Sequence, residues 1–101
     1  MRWKKGEFMV KQCLKITFYM PDDDSFLDDL VKKYARRLEL EGVAQLIAPR
    51  QAEVVACGNP EAIELLIDAI YKGSSLGKPD SIEVEPFVRE YNFRGVFRML
   101  D

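Results

Sequence analysis

The sequence predicts an α/β protein of the α+β type, in which two helices cover one face of an antiparallel sheet. Segments in which apolar and polar residues alternate indicate strands, and two segments with apolar residues every three to four positions indicate helices. These segments follow one another in the order β-α-β-β-α-β, with one further strand at the end. The chain of 101 residues is long enough for one domain with its own core.

The first strand is predicted over residues 10–20 and the first helix over residues 25–40. Apolar Leu14, Ile16 and Phe18 alternate with polar residues in the strand, which Pro21 ends. The helix carries an apolar stripe that the core is expected to bury. The stripe consists of Leu27, Leu30, Val31, Tyr34, Ala35 and Leu38, and the basic residues Lys32, Lys33, Arg36 and Arg37 lie away from it.

The second half of the chain is predicted to contain a hairpin, a helix and two further strands. Asn59 followed by Pro60 is typical of a helix start, and Gly73 is typical of a helix end. The predicted segments are strands at 42–48 and 51–58, a helix at 59–73, a strand around Ile82 and Val84, and a strand at 93–100.

This order of elements is that of the split β-α-β, or ferredoxin-like, arrangement. Both crossovers are expected to be right-handed, so both helices lie on the same face of the sheet and the other face stays open. Residues 10–101 form the predicted domain, and residues 1–9 form an N-terminal extension. Many unrelated proteins share this order, so it does not define a function.

The amino-acid composition disfavours several classes of function. The net charge is −2 and there is no large basic block, so nucleic acid is not an expected partner. No apolar run reaches the roughly 20 residues of a membrane span, and we expect a cytoplasmic location. The chain has no histidine, which removes the commonest general base and a common metal ligand. We expect no cofactor and no metal.

The two cysteines are expected to be free thiols. Cys13 and Cys57 are too few for the disulfide framework of a secreted domain. Both fall on the predicted solvent side of neighbouring strands, so a reversible redox pair is the alternative.

From about Leu14 to the C-terminus the chain resembles an acylphosphatase. The segment 35–43, ARRLELEGV, is similar to the family's A-R-R-L-G-L-x-G-W, and the segment 52–58, AEVVACG, is similar to V-E-V-V-A-x-G. The match needs no gap from Met20 to Gly73. It implies the same fold. It also implies hydrolysis of carboxyl-phosphate bonds, in which an arginine and loop amides hold the phosphate and an asparagine orients the attacking water.

The residues that carry this chemistry are replaced. Asp28 stands in the position of the arginine, Leu46 in that of the asparagine, and Asp24 in that of a cradle glycine. Glycine lets backbone amides close around a phosphate, and carboxylates repel it. The family's cradle G-x-V-Q-G-V-x-F-R falls on Met20, Pro21, Asp22, Asp23, Asp24, Ser25, Phe26, Leu27 and Asp28.

The sequence therefore favours an acylphosphatase-like domain without catalytic activity, which acts as a small binding or interaction module. Its partner, a protein or a small molecule, is unknown, and a homodimer through the open sheet face is a further expectation. That face is predicted to carry Thr17, Tyr19, Val55 and Cys57. One alternative is an acylphosphatase with displaced catalytic residues. A weaker alternative is an RNA-binding module, although Tyr19 is the only aromatic residue that its base-stacking strands are predicted to direct to the open face.

The aspartates before the first helix are expected to cap it rather than to bind a metal. Replacing Asp24 by alanine should lower the free energy of unfolding by about 1 kcal/mol, because a helix N-cap contributes that much. Millimolar Ca²⁺ or Mg²⁺ should leave the melting temperature unchanged, since a ligand specific for the folded state raises it. A metal-dependent rise of several degrees that disappears in Asp22→Asn/Asp24→Asn would make the loop a metal site.

Overall fold

The computed structural model describes residues 12–20, 25–74, 77–87 and 95–100. These residues form five strands and two helices. Helix α1 has a π-helical first part and an α-helical second part. The bounds are β1 Gln12–Tyr19, α1 Leu27–Lys32 continued by Lys33–Arg37, β2 Glu41–Ala48, β3 Gln51–Gly58, α2 Pro60–Lys72, β4 Asp80–Pro86 and β5 Phe97–Met99.

The strands form a single sheet in the order β4-β1-β3-β2-β5. The first four strands pair in antiparallel fashion, which confirms the predicted split β-α-β arrangement. The fifth strand, which is extra to the basic pattern, pairs in parallel with β2, so the complete sheet is mixed. Residues 93 and 94 of the predicted fifth strand lie outside the described residues.

The register of β1 against β3 places apolar residues of both strands on the helix side of the sheet. Ile16 lies opposite Val54, and Phe18 lies opposite Ala52, with all four side chains fully buried. Helix α2 contributes Ile63, Leu66 and Ile70 to the same core. Side chains alternate between faces along a strand, so Lys15 and Glu53 lie on the outer face.

Helix α1 buries most of its predicted stripe, but Tyr34 is 37% exposed, so its predicted burial is wrong. The first part of α1 is a π-helix, and the later stripe residues Val31 and Ala35 remain fully buried, so Tyr34 lies at the margin of the buried stripe. The helix ends at Arg37 rather than at residue 40, and Glu39 follows with a positive φ of 61°. No helix in the described part of the chain is long and apolar enough to cross a membrane.

The predicted start and end of α2 are confirmed. The Asn59 side chain accepts a hydrogen bond of 2.8 Å from the Glu61 amide, and Pro60 occupies the first helical position. Gly73 ends the helix with a positive φ of 74°, a conformation that glycine adopts without steric cost. The amide of Gly73 also donates hydrogen bonds to the carbonyl groups of Ala69 and Ile70.

Two residues at the start of β2 hold the last strand in place. The buried carboxylate of Glu41 accepts a 2.6 Å hydrogen bond from the Gly95 amide, and the Gly42 amide donates to the Val96 carbonyl at 2.9 Å. A Cβ at Gly42 would lie 1.8 Å from the Val55 carbonyl oxygen, so only glycine fits there. From α1, the Arg36 guanidinium donates to a carbonyl of β5 at 3.1 Å.

The expectation of free thiols is wrong, because Cys13 and Cys57 form a disulfide bond. The register places the two residues directly opposite each other, with their Cα atoms 4.1 Å apart. Directly opposite residues of antiparallel strands alternate between closer and wider pairs, and a close pair brings the two side chains within bonding reach.

The outer face is also less open than expected around this disulfide. Val55 is 5% exposed and Cys57 is fully buried. Val43, Cys13 and Phe87 pack against them in a small second apolar cluster. The predicted contact surface on the outer face is therefore wrong at Val55 and Cys57, whereas Tyr19 is 45% exposed.

The double change Cys13→Ser/Cys57→Ser should lower the free energy of unfolding by about 2–4 kcal/mol, because the disulfide spans 44 residues and restricts the unfolded chain. Urea unfolding measures this difference. Reduction of the native protein should reproduce it and should leave the variant unchanged. Two reactive thiols in the untreated denatured protein, with no loss of stability in the variant, would contradict the cross-link.

Candidate functional site

The chain segment that follows β1 and the end of β2 lie at the same end of the sheet. Tyr19 at the end of β1 and Ala48 at the end of β2 both lie opposite Gln51, the first residue of β3. Leu46 lies opposite the core residue Ala52 and therefore shares the helix side of the sheet. The structure thus brings Met20 and Leu46, two of the predicted site positions, to one end of the domain.

Residues 20–28, which the resemblance aligns with the family's phosphate cradle, are called the cradle-equivalent segment. Arg50, which the sequence analysis did not single out, fixes the start of this segment. Its Nη2 donates to the Met20 carbonyl oxygen at 2.9 Å, and its own carbonyl accepts from the Met20 amide at 2.6 Å. Arg50 lies in the β2–β3 turn with a positive φ of 63°. The Met20 side chain is buried in the core. These contacts join the hairpin turn to the point where the chain leaves β1.

The later part of the cradle-equivalent segment belongs to the core. Phe26 and Leu27 are buried, and the Phe26 ring meets the Phe18 ring edge-on with centroids 5.9 Å apart. The Ser25 carbonyl accepts a 2.7 Å hydrogen bond from the Asp29 amide in the first turn of the helix. The predicted site residues Pro21, Asp22, Asp23 and Asp24 lie outside the described residues.

Asp28, which the sequence resemblance aligns with the family's arginine, is exposed in the first turn of α1. Its carboxylate forms an ion pair of 3.0 Å with the Lys32 ammonium one turn later. The two residues line a surface groove of about 480 Å³ together with Asp29, Lys33 and Arg36. Position 28 therefore carries a carboxylate with its counter-ion.

Leu46, which the sequence resemblance aligns with the family's asparagine, is 50% exposed, and the next residue, Ile47, is 48% exposed. Neither side chain can donate or accept a hydrogen bond, so neither can orient a water molecule. The end of β2 therefore presents an apolar surface beside the start of the cradle-equivalent segment.

Three of the four cations on α1 have intramolecular partners. Lys32 pairs with Asp28, and Arg36 reaches β5. The Arg37 guanidinium lies 5.5 Å from the centre of the Tyr34 ring, a cation–π distance. The predicted basic face thus serves contacts within the domain as well as solvation.

The outer face of the sheet carries a row of alternating charges. The Lys15 ammonium lies 3.2 Å from the Glu85 carboxylate and 3.8 Å from that of Glu53. The hydrogen bond to Glu85 is the main reason that the pKa of Lys15 is raised above its usual value. Gln45 extends the row by donating to Glu53 at 3.2 Å. This surface suits polar contacts better than base stacking.

Within the described residues, no three Cys, Asp or Glu side chains come together in a way that could hold a metal ion. Asp22, Asp23 and Asp24 are not among those residues, so the absence of a metal at the aspartate run stays a prediction.

No family model matches the chain. Its structure is similar to that of an acylphosphatase from Coxiella burnetii, with a TM-score of 0.78 and 23% identity over 97% of this chain and 100% of that one. It is also similar to an acylphosphatase from Bacillus subtilis, with a TM-score of 0.75 and 21% identity over 91% and 100%. The chain has an acylphosphatase-like fold.

The same fold is found within a larger protein. This acylphosphatase-like domain matches HypF from T. kodakarensis with a TM-score of 0.75 and 22% identity over 91% of the domain and 12% of the HypF chain. At such identities the likeness concerns the fold, and the chemistry of the domain depends on its own residues.

Proposed function

We propose that this acylphosphatase-like domain is catalytically inactive and acts as a small binding module for a protein or small-molecule partner. The observation that carries the proposal is that Asp28 is an exposed carboxylate in an ion pair. This residue stands in the position of the arginine that holds phosphate in the family, and its carboxylate pairs with Lys32. The fold of the family is present without the charge on which its chemistry depends.

The change from arginine to aspartate reverses the sign of the interaction with phosphate. Two unit charges 4 Å apart interact by about 1 kcal/mol in water and by about 4 kcal/mol near a protein surface. An arginine would contribute that energy in favour of binding, whereas Asp28, which is exposed and paired with Lys32, contributes no attraction and a weaker repulsion. Stabilisation of developing negative charge is commonly the largest contribution to this type of catalysis.

Leu46 supports the same proposal through a separate step of the reaction. In the family, an asparagine on the second strand holds the attacking water, and correct orientation of reactants accounts for a large part of enzymatic rate enhancement. Leu46 offers only methyl groups at this position. Without the phosphate-binding arginine and the water-orienting asparagine, neither phosphate binding nor activation of the attacking water is supported.

The binding role follows from what the domain retains. A fully formed core supports an exposed outer face with the charged row of Lys15, Glu53 and Glu85, and with the exposed ring of Tyr19. A homodimer through this face stays part of the proposal. A cytoplasmic location also stays part of the proposal. The Cys13–Cys57 disulfide counts against that location, because such bonds rarely persist in the cytosol, so the redox state of the two cysteines in intact cells tests it.

A second candidate function is an acylphosphatase with a displaced arginine, and Arg50 is the specific observation in its favour. Its guanidinium lies 2.9 Å from the Met20 carbonyl oxygen, at the start of the cradle-equivalent segment. A cation is therefore present near this loop, on the hairpin turn rather than in the helix. The same guanidinium is engaged with the main chain, which favours a structural role.

The domain should not hydrolyse benzoyl phosphate or acetyl phosphate. Because the anchoring cation and the water-orienting amide are both replaced, we expect turnover below about 1 s⁻¹, the lower end for working enzymes. Release of benzoate and phosphate measures this rate, and the acylphosphatase from Bacillus subtilis serves as the active control.

Variants of the protein show which residues account for the result of that assay. Asp28→Arg/Leu46→Asn should not restore efficient turnover, because Asp24 still replaces a cradle glycine between two further aspartates and Ser25. Measurable turnover in the native protein that is lost in Arg50→Ala but kept in Arg98→Ala, a change of an exposed arginine on β5, would overturn the proposal in favour of the displaced arginine.

A further inference from the structure

Strand β4 forms one edge of the sheet and is exposed along most of its length. Its inner side pairs with β1, and no described strand pairs with its outer side. Six of its seven residues are exposed, and Ile82 is the partly buried exception. An edge strand presents a row of main-chain donors and acceptors that an extended chain can use.

The ladder with β1 shows which main-chain groups face outward. The Phe87 amide donates to the Cys13 carbonyl at 3.1 Å, so Phe87 turns its main-chain groups inward. Hydrogen-bonding direction alternates along the regular part of the ladder, so Glu85 and Glu83 also face β1, while Val84 faces outward. Below Glu83 the register shifts and Ser81 has a positive φ of 53°, which ends the regular edge on that side. Pro86 faces outward too, and its missing N–H marks the end of the available edge.

The side chains of β4 divide by chemistry between the two faces of the sheet. Glu83 lies opposite Thr17 and Glu85 lies opposite Lys15, so both carboxylates are on the outer face. Val84 lies opposite the core residue Ile16, and its side chain is 40% exposed on the helix side. A strand added at this edge would meet acids on one face and an apolar side chain on the other.

We propose that the β4 edge binds an extended peptide in which basic and apolar residues alternate, and that this peptide adds a sixth strand to the sheet. The inference rests on the proposed role as a binding module and gives the chemistry of its partner. Main-chain hydrogen bonds to Val84 supply affinity, and alternate side chains supply selectivity. Basic residues of the peptide lie beside Glu83 and Glu85, and apolar residues lie beside Val84.

The charges within the domain leave this edge acidic. Lys15 is the only cation among the described partners of β4, and it is shared between Glu85 and Glu53. Glu85 remains 59% exposed in that ion pair. A basic side chain from an added strand would lie next to Glu85 on the side away from Lys15, where opposite charges in neighbouring strands attract.

The same charges disfavour a second copy of this chain at the edge. Two antiparallel β4 strands related by a two-fold axis through Val84 would place Glu83 of one copy beside Glu85 of the other. Like charges directly opposite each other destabilise a strand pair. The occupant that fits the edge is therefore a basic strand and not another β4.

The test uses the full chain and the capped hexapeptide KVKVKV, followed by amide hydrogen exchange in ¹⁵N–¹H spectra. At a peptide concentration ten times the Kd, hydrogen exchange at the Val84 amide should slow about tenfold, because only the peptide-free fraction of the protein exchanges this amide. The same peptide N-methylated at alternate amides should not bind, since it keeps the charges and loses the main-chain donors. A Val84 amide that is already protected in the free protein would show an occupied edge and overturn the proposal.

Charge variants provide the second arm of the test. Glu83→Gln/Glu85→Gln should weaken binding of KVKVKV about fivefold to tenfold, the effect of two cross-strand charge pairs. Glu64→Gln/Asp68→Asn removes two exposed acids from α2 and serves as the matched control, with the affinity expected within twofold of native. Equal weakening in both variants, or equal binding of EVEVEV, would reduce the effect to general electrostatics and contradict the proposal.

The benzoyl phosphate assay on the same samples separates this inference from the proposed function. Turnover together with peptide binding would overturn catalytic inactivity and leave the edge site standing. No turnover and no peptide binding would overturn the edge site and leave the inactive domain in place.

Discussion

The pairing of β1 with β3 is the constraint on which the rest of the domain depends. Its register buries Ile16 and Phe18 against Val54 and Ala52, and a slip by one residue would turn Lys15 and Glu53 into the core. Each buried aliphatic or aromatic side chain contributes about 1.5–3 kcal/mol, so this register is strongly preferred. It also places Cys13 opposite Cys57 and leaves β4 at the edge.

That constraint separates the fold of the domain from its chemistry. The core requires apolar residues at Phe26 and Leu27, and it requires nothing of the exposed neighbour at position 28. Likewise Leu46 is half exposed at the end of a strand whose buried positions lie earlier. An acylphosphatase-like fold therefore places little demand on positions 28 and 46, because the side chains there project from the framework without supporting it.

Much of the fold follows from periodicity, whereas several contacts of the candidate site do not. The alternation around Ile16 and the Asn59-Pro60 start of α2 predicted their elements correctly, because local spacing reflects burial and capping. The π-helical first part of α1 has no local sequence signal, and the disulfide depends on the register that places Cys13 opposite Cys57, 44 residues away in the sequence. The contact between Arg50 and Met20 joins a turn to the end of another strand, so no local sequence pattern indicates it.

The central claim is that this domain keeps the acylphosphatase-like framework and has lost the ability to hold phosphate at the start of α1. Titration of the ¹⁵N-labelled protein with inorganic phosphate tests it most directly, with chloride as the ionic-strength control. We expect no saturable shift of the Met20, Ser25 or Phe26 amides up to roughly 50 mM phosphate, because carboxylates repel the anion. Saturable shifts confined to these amides, with a Kd below about 1 mM, would contradict it.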